Sequence, residues 1–156
     1  MQKLRSDQPG KVCDGLWYLG RPESGVYWLQ GSEGALIISG GTSYITADVI
    51  DQMQRFQLDG SELTGILILH AHFDHVGVVP YFKRRYPDLT VYASKRAWEL
   101  LSNPKVVATI NDFSRFLAER LGMVDAISEL DLDWQMGMFG QTVSEGDVIS
   151  LGDQQI

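Results

Sequence analysis

The chain has 156 residues, 44% of them hydrophobic, with 13 Lys and Arg against 20 Asp and Glu for a formal charge of −7. That is enough chain for one domain with its own core. The negative balance argues against nucleic acid as the main partner, since phosphate is held by Lys and Arg.

Taken in order, Met1 to Lys11 is polar and lacks the apolar core of a signal peptide. Cys13 is the single cysteine, which excludes an intramolecular disulfide and fits a reducing compartment. It lies outside any ligand spacing and reads as a small, semi-buried residue. Val12 to Leu19 is expected to open a sheet as its first strand. Thr46 to Phe56 has helical periodicity, with Ile45, Val49, Ile50 and Met53 as the apolar stripe. Leu63 to Leu69 is an uncharged apolar run long enough for a buried strand. A short helix follows to Phe82, with Lys83-Arg84-Arg85 as its solvated end. Ser94 is placed to cap a helix through Trp98 to Leu101. Asn103-Pro104 is an N-cap followed by proline at the first helical position. The next helix carries Val106, Ile110, Phe113, Leu117 and Leu121 on one face and ends near Gly122. Glu129, Asp131 and Asp133 read as a solvated acidic loop. No apolar stretch approaches the ~20 residues of a membrane span, and a cytoplasmic protein with no membrane association is expected. Strands alternating with helices predict an α/β fold.

All three histidines lie in one hexapeptide, His70-Ala71-His72-Phe73-Asp74-His75. Imidazole nitrogen and carboxylate oxygen are the donors that borderline divalent metals such as zinc take. The cluster follows the apolar strand directly, at the strand end where α/β proteins place their sites. On an extended segment His70 and His72 point to the same side. Asp74 and His75 lie past the turn, with Asp74 placed as a helix N-cap, and face the same cleft from another angle. That suits a second metal; paired ions stand roughly 3.5–4 Å apart and use a bridging water as nucleophile.

The hexapeptide, with Gly77 after it, resembles the His-x-His-x-Asp-His signature of the metallo-β-lactamase-fold hydrolases. Val26 to Gln30 and Ala35 to Ile38, joined by a turn at Gly31 to Gly34, are similar to the two opening strands of that family. Val91 to Ser94 is similar to the strand after its motif helix. Glu145-Gly146-Asp147-Val148-Ile149 and Leu151-Gly152-Asp153 are similar to its later hairpin. The resemblance implies the N-terminal portion of an αββα sandwich, a mixed sheet with helices packed outside. It implies that His70 and His72 hold one metal, that Asp74 and His75 hold a second, and that Asp74 orients or deprotonates the attacking water as the catalytic residue. The metal implied is a divalent ion, zinc first, with iron or manganese as alternatives. The family draws a further His, a bridging Asp and a last His from the half of its domain after the hairpin. Asp147 and Asp153, in Gly-Asp turns, are poor substitutes for them. A single, C-terminally incomplete domain over residues 1–156 is therefore expected, dinuclear only if those ligands are supplied. The family commonly has Asp where Ser39 stands, supporting the metal from outside its ligand shell. Here Ser39-Gly40-Gly41 reads mainly as a tight strand-to-helix turn.

Three functions follow from the resemblance. The first is a hydrolase that cleaves a thioester, lactone or similar acyl bond of a small-molecule substrate, with metal-bound hydroxide as nucleophile. The second, dinuclear iron redox chemistry, usually goes with a Glu where His72 stands, so His72 argues against it. The third is a non-catalytic half-domain, completed by a partner or as a homodimer. The region after Ala97 is variable in the family and shapes the substrate pocket; Trp134, Met136, Met138 and Phe139 are either an apolar wall of that pocket or core packing.

Overall fold

Asp14-Gly15 divides the expected first strand in two. In the computed structural model, which describes residues 8–156, Gly10–Cys13 (β1) and Leu16–Arg21 (β2) pair antiparallel, with Cys13 opposite Leu16. Gly15 takes φ +75° at the turn. Asp-Gly is a strong hairpin signal because it accepts positive φ. Cys13 is exposed at this edge, where a semi-buried residue was expected. The polar stretch from Met1 to Lys11 lies outside the described residues as far as residue 7.

Ser24–Gly31 (β3) and Gly34–Ile38 (β4) form the next hairpin, closing at Gly31 opposite Gly34. The chain then crosses over through a 3-10 turn at Ser43–Ile45 and a helix at Thr46–Arg55 (α1). It returns as Leu63–Leu67 (β5), parallel to β4. A helix at Val79–Arg85 (α2) leads to Thr90–Ala93 (β6), parallel to β5. Lys95–Leu101 (α3), Pro104–Leu121 (α4) and Val124–Ser128 (α5) precede the two-residue strand Gln141–Thr142 (β7), parallel to β6. The seven strands form one mixed sheet in chain order, in agreement with the expected α/β class. No helix among the described residues is long and apolar enough to cross a membrane.

The helix boundaries follow their caps. Ser94 Oγ accepts from the Ala97 amide at the start of α3, and Asn103 Oδ1 accepts from the Lys105 amide at the start of α4. Gly122, at φ +68°, ends α4 in the left-handed conformation. Lys83 Nζ donates to the carbonyls of Pro87 and Leu89 just past the end of α2.

One face of the sheet carries the core. Leu19, Val26, Trp28, Ala35, Ile37, Ile66 and Val91 are buried on it, together with Ile45 and, from α1, Val49 and Met53. Phe82 of α2, Leu101 of α3 and Ile110 of α4 join the same cluster. On α4 the buried residues are Val107, Ile110, Ser114 and Ala118. The stripe read from the sequence is thus rotated: Phe113 and Leu121 are 52% and 48% exposed. The opposite face presents Leu16, Tyr18, Leu29, Ile38, Leu67 and Tyr92, all half-buried, and Tyr27, which is exposed. The strand register places them on one side, with no Asp, Glu, Lys or Arg among them. Leu36 is fully covered there, outside the main cluster, with Leu151 packed against nearby Gly31.

The expected hairpin after Gln141 is reduced to one isolated antiparallel bridge, Ser150 with Gln155, flanked by reciprocal backbone bonds between Ile149 and Ile156.

Candidate metal centre

β5 ends at Leu67, and the Ile68 amide makes one more bond, to the Tyr92 carbonyl of β6. From Leu69 the backbone leaves the sheet, so His70 stands just beyond a buried strand end. His72 is extended (φ −97°, ψ 156°) and leads into a 3-10 turn, Phe73–His75. That turn, closed by the His75 amide on the His72 carbonyl, carries Asp74 and His75. Asp74 was expected to cap a helix. Instead it lies inside the turn, and α2 begins only after Val78, with no side-chain cap.

A second loop fixes the first. The amides of Gly77 and Val78 donate to the carbonyls of Gly41 and Gly40, at 2.9 and 2.8 Å. The approach is close enough that a Cβ on Gly40 would strike the His75 carbonyl, and one on Gly77 would strike the Thr42–Ser43 backbone. Gly40 and Gly77 are thus explained by backbone contact, whereas Gly41 takes φ +49°, which favours glycine, with the Ile45 side chain against it. The Ser39 amide bonds the Leu67 carbonyl at 2.9 Å, tying the same loop to the end of β5.

His70, Asp74 and His75 each offer a ligand atom, and these atoms all lie within 4.8 Å of one another. The His70 and His75 rings have centroids 3.9 Å apart, and His75 Nε2 is 3.6 Å from Asp74 Oδ2. His72 stands edge-on to His70, centroids 4.7 Å apart. All four residues singled out in the sequence therefore meet at one place, three as a convergent set with His72 alongside. Two imidazoles and a carboxylate within this span fit a divalent ion of the zinc class, which takes N and O donors.

Ser39 Oγ lies 2.9 Å from His75 Nδ1. When Nδ1 carries the proton and donates to Ser39, Nε2 keeps its lone pair toward Asp74 and the cluster. Burial, and then the neighbouring His70, hold the His75 pKa below the usual histidine value, while Asp74 pulls the other way. The effect keeps the imidazole in the neutral form that a metal ion takes. Ser39 is buried and adopts φ +69°, an uncommon conformation for a residue with a side chain. It is thus a partner of His75 as well as the tight turn read from the sequence.

Four of the five acidic residues set aside in the sequence have partners elsewhere. Asp153 Oδ1 accepts from the Ser32 amide, and Asp147 Oδ2 accepts from the Ser144 amide. Asp133 is paired with Arg115, and Asp131 lies 3.9 Å from Arg84.

A groove of about 570 Å³ opens beside the cluster. Ala71, His72, Phe73 and Asp74 form one wall. The other belongs to α4, whose Lys105, Val106, Thr109, Ile110 and Phe113 face it. Phe73 and Phe113 stack across it with centroids 5.6 Å apart. Trp134, one proposed wall residue, is instead buried in the core, its amide and carbonyl held by the Asn111 side chain. Met136 and Phe139 are exposed, Phe139 against Trp98. The apolar positions of α4 exceed one buried stripe, and part of the surplus lines this groove.

Among curated proteins, an exodeoxyribonuclease, WalJ, of Streptococcus pneumoniae is 22% identical over 107 residues, 69% of this chain and 38% of that protein. A hydroxyacylglutathione hydrolase of Parasynechococcus marenigrum is 34% identical over 67 residues, 43% of this chain and 24% of that protein. Among solved structures, a subclass B3 metallo-beta-lactamase of Bradyrhizobium japonicum superposes with a TM-score of 0.69 at 23% identity, covering 94% of this chain and 49% of its own. The metallo-beta-lactamase GOB-18 of Elizabethkingia meningoseptica gives 0.70 at 18% identity, covering 99% and 52%. The chain thus spans about half the length of the solved structures it matches and less of the curated relatives. The sequence profile of the metallo-beta-lactamase superfamily matches residues 20–140. With the mixed sheet and a histidine-rich strand end already in place, the chain belongs to the metallo-beta-lactamase superfamily.

Proposed function

We propose that this chain is the metal-binding portion of a hydrolase that cleaves a thioester, lactone or similar acyl bond in a small molecule. The observation that carries the reading is the convergence of His70, Asp74 and His75 at the end of β5, with His72 beside them and an apolar groove at their side. When bound, a divalent metal, zinc by preference, supplies Lewis acidity and an activated water at neutral pH. The chain's own residues do the rest. His70 and His72 hold one ion, and His75 and Asp74 a second where further donors are supplied. Asp74 accepts a proton from the attacking water, a role supported by its side chain being 47% exposed. Ser39 keeps the His75 ring oriented. The resemblance to a hydroxyacylglutathione hydrolase supports an acyl substrate. The resemblance to an exodeoxyribonuclease points to a phosphodiester, but the −7 charge weighs against a polyanion. The free, exposed Cys13 suits a cytoplasmic setting.

The test is metal content by elemental analysis, followed by hydrolysis of a panel of thioesters and lactones with metal supplied. Metal retained by the parent chain and lost from His70→Ala and His72→Ala supports the assignment. Full hydrolysis by Asp74→Asn overturns the role given to Asp74.

A second reading is completion by another copy of the chain, favoured by the uncharged, half-exposed sheet face opposite the helices. Solution mass measured alongside metal content separates the two: a dimer holding metal supports completion in trans, and a metal-holding monomer excludes it.

A further inference from the structure

The α4 wall of the groove is built against the usual rule for a surface helix. Its buried stripe, Val107, Ile110, Ser114 and Ala118, already secures it to the core. Val106 and Phe113 add a second apolar line beside that stripe, and Phe113 remains 52% exposed. The exposed ring is not idle, because it stacks on Phe73, the residue between His72 and Asp74. Apolar side chains converging beside reactive groups, in a groove of about 570 Å³, match the size and character of small-molecule sites.

The groove has one cation. Lys105 lines it one turn before Thr109 and two turns before Phe113. No ion pair or hydrogen bond engages its ammonium among the described residues; only its backbone groups are bonded, to Asn103 and Thr109. Eight residues of helix separate Lys105 from Phe113, about 12 Å at 1.5 Å per residue. The groove therefore runs from the His72 and Asp74 end, marked by the stacked phenylalanines, to an unpaired positive charge.

Resting on the acyl-hydrolase reading, we propose that this groove holds the acyl chain of an anionic substrate. The scissile carbonyl lies at the His72 and Asp74 end. An apolar chain of medium length runs along Phe113, Ile110 and Val106, and a carboxylate at its far end pairs with Lys105. Val106, Ile110 and Phe113 select for apolar length, and Lys105 selects for the terminal charge.

The experiment titrates the full chain, freed of metal by chelation, with octanoate, 1-octanol and octylamine, following affinity by calorimetry and location by amide shifts. Octanoate is expected to bind about fivefold more tightly than octanol, as for an exposed ion pair, and octylamine least tightly. Shifts should fall on Val106, Thr109 and Phe113. Lys105→Glu should reverse the order of octanoate and octylamine while leaving octanol unchanged. Phe113→Ser, at a half-exposed position, should weaken all three. Equal affinity for octanoate and octanol, indifference to Lys105→Glu, or shifts on the open sheet face at Leu29 and Tyr92 would each overturn the proposal. Without metal, these outcomes are independent of hydrolysis: a failure here leaves the metal assignment standing, and a failure of metal-dependent hydrolysis leaves the groove result standing.

Discussion

Ser39 shows how one side chain serves fold and site together. Its left-handed backbone costs about 1 kcal/mol for an L-residue, and its bond to His75 contributes about the same in the other direction. Ser39→Gly relieves the first and deletes the second, so the stability of the metal-free chain should change by less than about 1 kcal/mol in urea unfolding. Metal affinity should nonetheless fall about 10–100-fold, the usual effect of losing a group that orients a ligand; competition against a chelator reads it. An unchanged affinity would leave Ser39 with the turn alone. The four candidate ligand residues were legible because they lie within one hexapeptide and are of the right chemistry. The role of Ser39 was harder to see, because its partner lies 36 positions away. They meet only because β4 and β5 are neighbours, which no local pattern encodes.

At the scale of elements, the histidine loop and the Ser39–Ser43 loop form one unit, held by two backbone bonds and by the absence of Cβ atoms at Gly40 and Gly77. Gly77→Ala forces a methyl into the Thr42–Ser43 backbone and should cost about 1–3 kcal/mol, the range for overpacking a buried site. Because the clash displaces the loop that carries His75, metal affinity should fall with stability, where Ser39→Gly separates the two. Helix boundaries were legible where a cap residue announced them, as at Ser94, Asn103 and Gly122. The hairpin at Asp14-Gly15 was equally announced but was absorbed into an apolar run. On α4 the sequence supplied the apolar residues but not their division into two stripes. Periodicity counts apolar positions and does not say whether the surface they face is core or groove. The hairpin after Gln141 shrank to a bridge because Glu145-Gly146-Asp147 closes its own turn, Asp147 accepting from Ser144, and joins no strand.

At the scale of the whole molecule, the sheet is sealed on one side and open on the other. Tyr27, at 42% exposure in the middle of the open face, is the position at which to test the second copy. Tyr27→Lys adds a charge among sheet side chains that carry none and buries nothing new. It should leave the unfolding midpoint within the ±0.5 kcal/mol expected of surface changes and convert any dimer to a monomer by light scattering. A dimer that survives the change uses another surface.

The order of the strands also sets a timetable. From β1 to β4 every pairing is between neighbours in sequence and antiparallel, whereas β4 to β7 are parallel and need crossovers. Local pairings close early and distant ones late, because loop closure must precede their reward. The meander up to Ile38 is therefore a natural first structure. The histidines follow the first crossover strand, and the Ser39 and Gly40-Gly41 contacts that hold their loop form only after β5 has docked. An ion that binds this cluster arrives after the rate-limiting closure, so zinc should slow unfolding severalfold in stopped-flow denaturant jumps while leaving the refolding limb where it was. The metal would act as a latch on a finished molecule and not as a seed for it.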